Sequence, residues 1–153
     1  MVQQIWTPQR VYEFLKVNYL ANELLSRLLP PGVYCTQNLL WAELLVAQTQ
    51  MPTLDILENL ACVANRLQGY RDTLFGGTPV IITSAWRAAD YNKQVGGAPQ
   101  SKHLLGQAID FCSSKLPPSK VQILLAKHSG GLGAYKNFTH IDISDKRRWI
   151  GAE

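Results

Sequence analysis

The chain has 153 residues, of which 46% are apolar and 17% are charged, and its net charge is +4. This length suits one domain with a sizeable core, and this composition excludes a disordered chain. No apolar run reaches the roughly 18 residues that a membrane span needs. The charge gives little support to a nucleic-acid binder, because only Lys146, Arg147 and Arg148 form a basic cluster.

Three cysteines, Cys35, Cys62 and Cys112, have no C-x-x-C spacing. Their odd number and their spacing argue against a disulfide framework and against a cysteine-bound zinc ion, so we expect reduced thiols. The N-terminal segment has no basic stretch followed by an apolar one, which predicts no secretory signal and a protein that is cytoplasmic as synthesised. We expect a single domain, with a mostly helical portion over 1–77 and a motif-bearing portion over 78–153.

The first half is predicted to be a helical scaffold. Apolar residues recur at helical spacing over 8–29, and two prolines follow. A second helix is expected over 39–47. A third is expected to begin at Thr53, a candidate N-cap, and to end near Leu74, where a glycine pair stops it. The acidic residues of these helices are interpreted as facing solvent.

From residue 78 onward, helices and short strands are predicted in mixed order, which indicates an α+β fold. The expected elements are a buried strand over 78–86, a short helix over 87–95, a strand over 106–111, a helix over 117–128, a turn over 129–133 and a strand over 138–144. His128 would end its helix, where an imidazole suits the carbonyl end.

Two of the three histidines lie near an aspartate. His103 and Asp110 flank a predicted turn into a strand, and His140 lies on a second strand. A catalytic zinc ion takes three N or O ligands and leaves a position for water, so these residues could bind one if both strands face one cleft. Asp142 would lie on the same strand face as His140 and could act as a general base. A His–Asp pair on a strand is more commonly a simple hydrogen bond, and spacing alone leaves both explanations open.

Several segments match one family pattern in order. The segment SKHLLGQAID (101–110) matches S-x-H-x-x-G-x-A-x-D, and ITSAWRAADYN (82–92) is similar to S-x-x-R-x-x-x-x-N. The segment GGLGAYKNFTHIDI (130–143) then precedes RRW. Together they resemble the zinc D-Ala-D-Ala carboxypeptidase family, whose fold is shared with the hedgehog signalling domain. The resemblance is strong over 80–149 and weaker over 57–77, and we recognise none before that.

The resemblance implies an α+β domain whose small antiparallel sheet, flanked by helices, carries one zinc ion. The family ligands fall on His103, Asp110 and His140. Two small residues between the first two ligands, Gly106 and Ala108, would allow a tight approach to the metal.

The resemblance also assigns residues around the substrate. Ser101 matches a family serine near the substrate, and Tyr135 is expected on the same surface. Arg87 matches an arginine that would bind a carboxylate or stabilise an oxyanion, because a guanidinium offers fixed donors and permanent charge. An ordinary ion pair is its alternative role. Asn92 is expected to brace the loop rather than to contact substrate.

The general base is where this chain departs from its relatives. Several branches carry an acidic residue three positions before the last histidine, and Asn137, which cannot accept a proton, stands there. Asp142 is therefore the expected base, and its alternative role is to accept a hydrogen bond that orients His140. A spacing of about 7 Å along a strand would leave room for water between this carboxylate and the metal.

We therefore expect a zinc metallopeptidase that hydrolyses peptidoglycan stem peptides or muropeptides, as a D-Ala-D-Ala carboxypeptidase or a murein endopeptidase. The scissile bond could be D-Ala-D-Ala, another D,D crosslink or an L,D bond. A non-catalytic zinc-binding recognition domain is the alternative, and nucleic acid is not an expected partner. Since murein lies outside the cytoplasm, a phage endolysin released through a membrane pore would reconcile location with substrate, as would an enzyme of recycled peptides.

Overall fold

A computed structural model describes residues 35–45 and 52–151 of the chain. The elements in chain order are α1 (Trp41–Leu44), α2 (Leu54–Thr73), β1 (Val80–Ser84), α3 (Ala89–Gln94), a 3₁₀ helix (Lys102–Leu105), β2 (Ala108–Ser113), α4 (Pro118–Leu124), β3 (Gly131–Ala134), β4 (Thr139–Asp142) and β5 (Arg147–Ile150). This α+β architecture confirms the predicted fold class. The helix predicted over 8–29 lies outside the described residues, and so does part of the one predicted over 39–47.

Five strands form one sheet in the order β1-β2-β4-β3-β5. All neighbours are antiparallel except β3 and β5, which run parallel. Between β2 and β4 at the centre, Asp110 lies opposite His140 and Ala108 lies opposite Asp142. Directly opposed residues project from the same face of a sheet. The central strand pair therefore brings residues from two distant sequence motifs side by side.

Helix α2 has the boundaries that the sequence predicts. The Thr53 hydroxyl accepts a hydrogen bond from the backbone N–H of Ile56, at 3.3 Å, and so caps the helix. After the helix, Gly76 and Gly77 adopt positive φ angles of 62° and 76°, which favour glycine. The buried face of α2 packs into the core through Leu57, Leu60, Ala61, Val63, Ala64 and Leu67. Each leucine buried there contributes about 1.5–3 kcal/mol, so the helix is a firm support for the sheet.

Strand β1 differs from the buried strand that its β-branched sequence predicts. Its residues alternate between partial burial and exposure, and Ile81 is 53% exposed. Val80 and Ile82 pack against the core from the other face. The prediction was wrong because β-branched composition reports strand propensity and cannot tell whether one or both faces of the strand are covered.

The sequence predicts a turn over 129–133, but residues 131–134 form β3 and pair with β4 and β5. The glycines there are required by close packing. A Cβ atom on Gly131 would lie 2.3 Å from Oδ2 of Asp142, and one on Gly133 would lie 2.6 Å from the ring of Trp149. Glycine occurs here because side chains of neighbouring strands fill the space beside the backbone. Local sequence rules instead interpret a run of glycines as a turn.

His128 also differs from its predicted role at a helix end. Helix α4 ends at Leu124, and the His128 side chain is buried beyond it. Its Nδ1 atom lies 2.6 Å from the Tyr70 hydroxyl, and its Nε2 atom lies 2.9 Å from the carbonyl oxygen of Asp142. The ring therefore links α2 to β4. Burial lowers the pKa of His128, which favours the neutral ring.

The structure also bears on the predictions about membrane spans and cysteines. Among the described residues, no helix combines the length and apolar character that crossing a bilayer requires. Cys35, Cys62 and Cys112 are free thiols, and only Cys35 is fully buried. Burial raises the pKa of the Cys35 thiol, which keeps it protonated and unreactive at neutral pH.

Candidate metal centre

Three buried side chains converge at the centre of the sheet: His103 from the 3₁₀ helix, Asp110 from β2 and His140 from β4. One N or O atom of each lies within 4.8 Å of the others. The Oδ1 atom of Asp110 is 3.2 Å from Nε2 of His103 and 2.8 Å from Nδ1 of His140. The tertiary structure thus brings together the three residues that the sequence proposes as ligands.

The 3₁₀ helix that carries His103 is fixed at both ends. The Ser101 hydroxyl caps it by accepting the backbone N–H of His103 at 3.2 Å. Gly106 ends it with a left-handed φ of 72°. A Cβ atom on Gly106 would lie 2.8 Å from the carbonyl oxygen of Ile56, so this glycine makes room for α2. The structure therefore assigns Gly106 to packing against a helix, whereas the sequence interpretation assigns it to the approach of a metal.

The outer contacts of both histidines determine which nitrogens could bind a metal. Nδ1 of His103 lies 2.6 Å from the Ala85 carbonyl oxygen, which can only accept, so Nδ1 carries the proton. Nε2 of His140 faces Oδ2 of Asp142 at 2.9 Å and carries its proton for the same reason. In the neutral rings, the two inner nitrogens then direct lone pairs at Asp110 Oδ1. Three electron-pair donors in contact need a positive ion between them, which is a proton in the metal-free protein, and a metal ion can replace that proton. The donor set therefore fits a metal ion.

The charges of the triad support this interpretation. Burial alone would raise the pKa of Asp110, but hydrogen bonds and positive charge from His103 and His140 lower it to about 2. Burial lowers the pKa of His140, yet its contacts with Asp110 and Asp142 outweigh burial and raise it. Without a metal, a protonated His140 donates hydrogen bonds to the carboxylates of Asp110 and Asp142. A metal ion would displace the proton on the nitrogen that it binds.

Arg87 is held beside the triad by three side chains. Its Nε atom donates to Ser84 Oγ at 2.9 Å, Nη1 donates to Asn92 Oδ1 at 3.3 Å, and Nη2 donates to Asp110 Oδ2 at 3.4 Å. The buried Asn92 also donates to the Ala98 carbonyl oxygen at 3.0 Å, so it braces the loop and Arg87 together. A guanidinium has five N–H groups, so two remain after these contacts.

Asp142 is fully buried, and both of its oxygens are occupied. Oδ1 accepts from Gly131 N at 3.0 Å, from Ser144 N at 3.1 Å and from Ser144 Oγ at 2.5 Å. Oδ2 accepts from Nε2 of His140 at 2.9 Å and from Nη2 of Arg147 at 2.6 Å. Burial would raise the pKa of Asp142, but these hydrogen bonds hold it well below its usual range. The ring of His140, rather than open space, lies between this carboxylate and the other ligand candidates.

Comparison with known protein families shows which family the chain belongs to. A family model described as Peptidase M15 matches residues 37–142, which is more than half of the chain. The chain is a member of the peptidase M15 family. This zinc-dependent family is the one that the motifs resemble, so the resemblance is confirmed. The match begins at residue 37, well before the motif-bearing half. No curated protein matches the chain.

The triad of this M15 peptidase opens into a cleft of about 540 Å³. Ser101 and Tyr135, which are expected near the substrate, both line the cleft. The Tyr135 hydroxyl accepts a hydrogen bond from Nε1 of Trp149 at 3.1 Å, and its ring stacks on Phe138 with centroids 4.3 Å apart. Asn137, at the position where several related branches are expected to carry an acidic residue, is exposed on the turn between β3 and β4.

Arg147 and Trp149 also line the cleft of the M15 peptidase, although the sequence predicts no functional role for either. The ring of Trp149 lies 5.0 Å from the ring of His140, and the guanidinium of Arg147 lies over Trp149 at 5.0 Å. Both come from β5, which is not predicted as a strand. The RRW segment is the one sequence motif that contains them. Its position in the chain does not show that it forms a strand that pairs with β3.

Proposed function

We propose that this M15 peptidase hydrolyses peptide bonds in peptidoglycan stem peptides. The observation that carries the proposal is the buried His103–Asp110–His140 triad, which opens into a cleft beside the tethered guanidinium of Arg87. The order of the motifs supports a murein substrate, because it resembles that of D-Ala-D-Ala carboxypeptidases. Both carboxypeptidase and endopeptidase action remain within the proposal.

His103 Nε2, an oxygen of Asp110 and His140 Nδ1 would hold a zinc ion, and their donor types suit zinc. A zinc ion held there would supply a Lewis acid for the substrate carbonyl and would make a water molecule acidic enough to react near neutral pH. The protein itself fixes the ligands in advance. The Ala85 carbonyl oxygen holds His103 and the Asp142 carboxylate holds His140, so neither ring must reorient to bind the metal.

Arg87 is proposed to bind the negative charge of the substrate. Its contacts with Ser84, Asn92 and Asp110 fix the plane of the guanidinium, so its remaining N–H groups meet a carboxylate or an oxyanion without reorganisation. Ser101 and Tyr135 are proposed to contact the peptide from the cleft wall, where both lie. These residues would hold the scissile carbonyl against the metal centre.

Asp142 is proposed to orient His140 rather than to act as the general base. Its complete burial supports this role, and so do the donors that already occupy both of its oxygens. A carboxylate in contact with Nε2 of a metal-binding imidazole fixes the ring and increases the basicity of its other nitrogen. Asp110 and Asp142 are the two carboxylates among the residues that line the cleft. Because Asp110 is already a ligand candidate, a variant of Asp142 tests whether Asp142 orients His140 or acts as the general base.

The test is turnover of defined muropeptides by the zinc-loaded protein, with the products identified by mass spectrometry. Loss of a terminal D-alanine would indicate carboxypeptidase action, and internal cleavage would indicate an endopeptidase. A His103→Ala, His140→Ala double variant is the matched control for contaminating peptidases. Zinc-loaded protein that binds muropeptides but leaves every one intact would favour the non-catalytic recognition domain.

A further inference from the structure

We propose that Arg147 is a positioning residue of the metal centre, which acts on His140 through Asp142. Arg147 lies on β5, beyond the residues 37–142 that match the family model. The inference rests on the proposed metal site but does not require that the site hydrolyses peptidoglycan. It adds a residue of the C-terminal edge strand to the machinery that the central strands provide.

A chain of direct contacts links Arg147 to the triad. Nη2 of Arg147 donates to Oδ2 of Asp142 at 2.6 Å, and the same oxygen accepts Nε2 of His140 at 2.9 Å. Nδ1 of His140 then faces Oδ1 of Asp110 at 2.8 Å. Oδ2 of Asp142 accepts hydrogen bonds from both Arg147 and His140. The position of the guanidinium therefore fixes the position of this oxygen relative to the imidazole. Charge-assisted contacts of this length are the strong class of hydrogen bond.

Arg147 is itself held in place, although its side chain is 46% exposed. Its Nη2 atom also donates to Ser144 Oγ at 3.2 Å, and its guanidinium lies 5.0 Å from the ring centroid of Trp149. In the parallel pairing of β5 with β3, Arg147 lies beside Gly131 and Trp149 lies beside Gly133. The space that a Cβ atom would need at these glycines is filled by Asp142 and by Trp149, respectively. The glycines of β3 thus allow the contact network to form.

A purely electrostatic effect of Arg147 would have the opposite sign. A positive charge near a metal site repels the cation, so its removal would strengthen zinc binding. A positioning role predicts weaker binding instead, because Asp142 would lose a donor that directs it at His140. The sign of the change in zinc affinity therefore separates the two roles without any measurement of activity.

The experiment measures the zinc affinity of the 153-residue chain by competition with a chromogenic chelator. Arg147→Gln is expected to weaken zinc binding by up to about tenfold, the lower end of the range for residues that orient metal ligands. Arg147→Lys, which keeps a donor and the charge, is expected to lose less. Lys146→Gln removes the same charge from the neighbouring exposed residue and is expected to change nothing. In an Asp142→Asn background, Arg147→Gln is expected to have no further effect.

Unchanged or tighter zinc binding in Arg147→Gln would overturn the proposal. An equal loss in the wild-type and Asp142→Asn backgrounds would overturn it too, since Arg147 would then act independently of Asp142. If Arg147→Gln does not fold, judged by circular dichroism, the same criteria apply to Arg147→Met, which also removes the charge and the donors but keeps most of the aliphatic stem. Failure of the proposed function would look different, because muropeptides would stay intact while the pattern of zinc affinities held.

Discussion

Nε2 of His140 lies 2.9 Å from Oδ2 of Asp142, two residues further along the same strand, while Nδ1 of the same ring lies 2.8 Å from Oδ1 of Asp110. One imidazole is thus held between two carboxylates. Since Asp142 can only accept, it retains the proton on Nε2 and leaves Nδ1 for a metal ion. This contact favours a role for Asp142 in orienting His140.

The first prediction concerns metal content. The protein is expected to bind about one zinc ion per chain, because three donors converge and neutral histidines with a carboxylate suit zinc. The His103→Ala, His140→Ala double variant should lose that zinc, measured by elemental analysis after gel filtration. His128→Gln changes a histidine outside the triad and should retain it. A full equivalent of zinc in the double variant would exclude the triad as the binding site.

The second prediction concerns Arg87. Arg87→Lys keeps the charge but cannot reproduce the planar fork that contacts Ser84, Asn92 and Asp110. Turnover of a cleaved muropeptide should fall by an amount equivalent to about 2–3 kcal/mol, the scale of one oxyanion donor. Zinc content should be unchanged, which separates this effect from loss of the metal. Wild-type kinetics would reduce Arg87 to a structural ion pair with Asp110.

The third prediction distinguishes the two roles of Asp142. If Asp142 orients His140, Asp142→Asn should weaken zinc binding by about 10–100-fold, and saturating zinc should largely restore turnover. If Asp142 is the base, zinc binding should be nearly intact and turnover should stay about 10²–10⁴-fold low at every zinc concentration. The geometry favours the first pattern. The measurement is the rate as a function of free zinc concentration for the variant and the wild type.

The fourth prediction concerns the pH dependence of stability without metal. Folding raises the pKa of His140 above its ordinary 6.5. A group whose pKa rises on folding stabilises the fold fully below its unfolded pKa, and this contribution is lost as pH rises through the folded pKa. The unfolding free energy of chelator-treated protein should therefore fall as pH rises above 6.5. With zinc bound the trend should reverse, because metal binding requires the deprotonated ring.

Urea unfolding at a series of pH values measures this dependence. His140→Gln provides the control, since its metal-free form should lack the decline. A decline of the same size in His140→Gln would assign the effect to another group.

The fifth prediction concerns β3. A Cβ atom on Gly131 would lie 2.3 Å from Oδ2 of Asp142, so Gly131→Ala should displace that carboxylate and cost about 1–3 kcal/mol of stability. Zinc affinity should fall as well. Gly69, near the end of α2, is exposed, and a Cβ atom there would contact no side chain or neighbouring segment within 4 Å, so Gly69→Ala should stabilise by about 0.5–1 kcal/mol. Thermal unfolding compares the two, and equal effects would contradict the packing explanation.

Much of this protein follows from its sequence because the responsible signals are local. Thr53 and the glycine pair after α2 delimit the helix through capping and positive φ angles, which depend on neighbouring residues alone. The alternation in FTHIDIS predicts β4, and the order of the motifs identifies the M15 family and the three ligand candidates. Each of these signals lies within one short segment of the sequence.

The tertiary structure decided what depends on contacts between distant segments. Local rules interpret the glycines of 129–133 as a turn, yet β3 needs them because Asp142 and Trp149 occupy the space beside it. The spacing of His140 and Asp142 on a strand fixes their common face, but it cannot show that the two side chains touch. Arg147 and Ser144 donate hydrogen bonds to the same carboxylate, and Arg147 lies close enough to do so because β5 pairs with β3. Pairing between strands depends on contacts between segments that are distant in the sequence, and these contacts stabilise the whole sheet. No short stretch of sequence therefore encodes it.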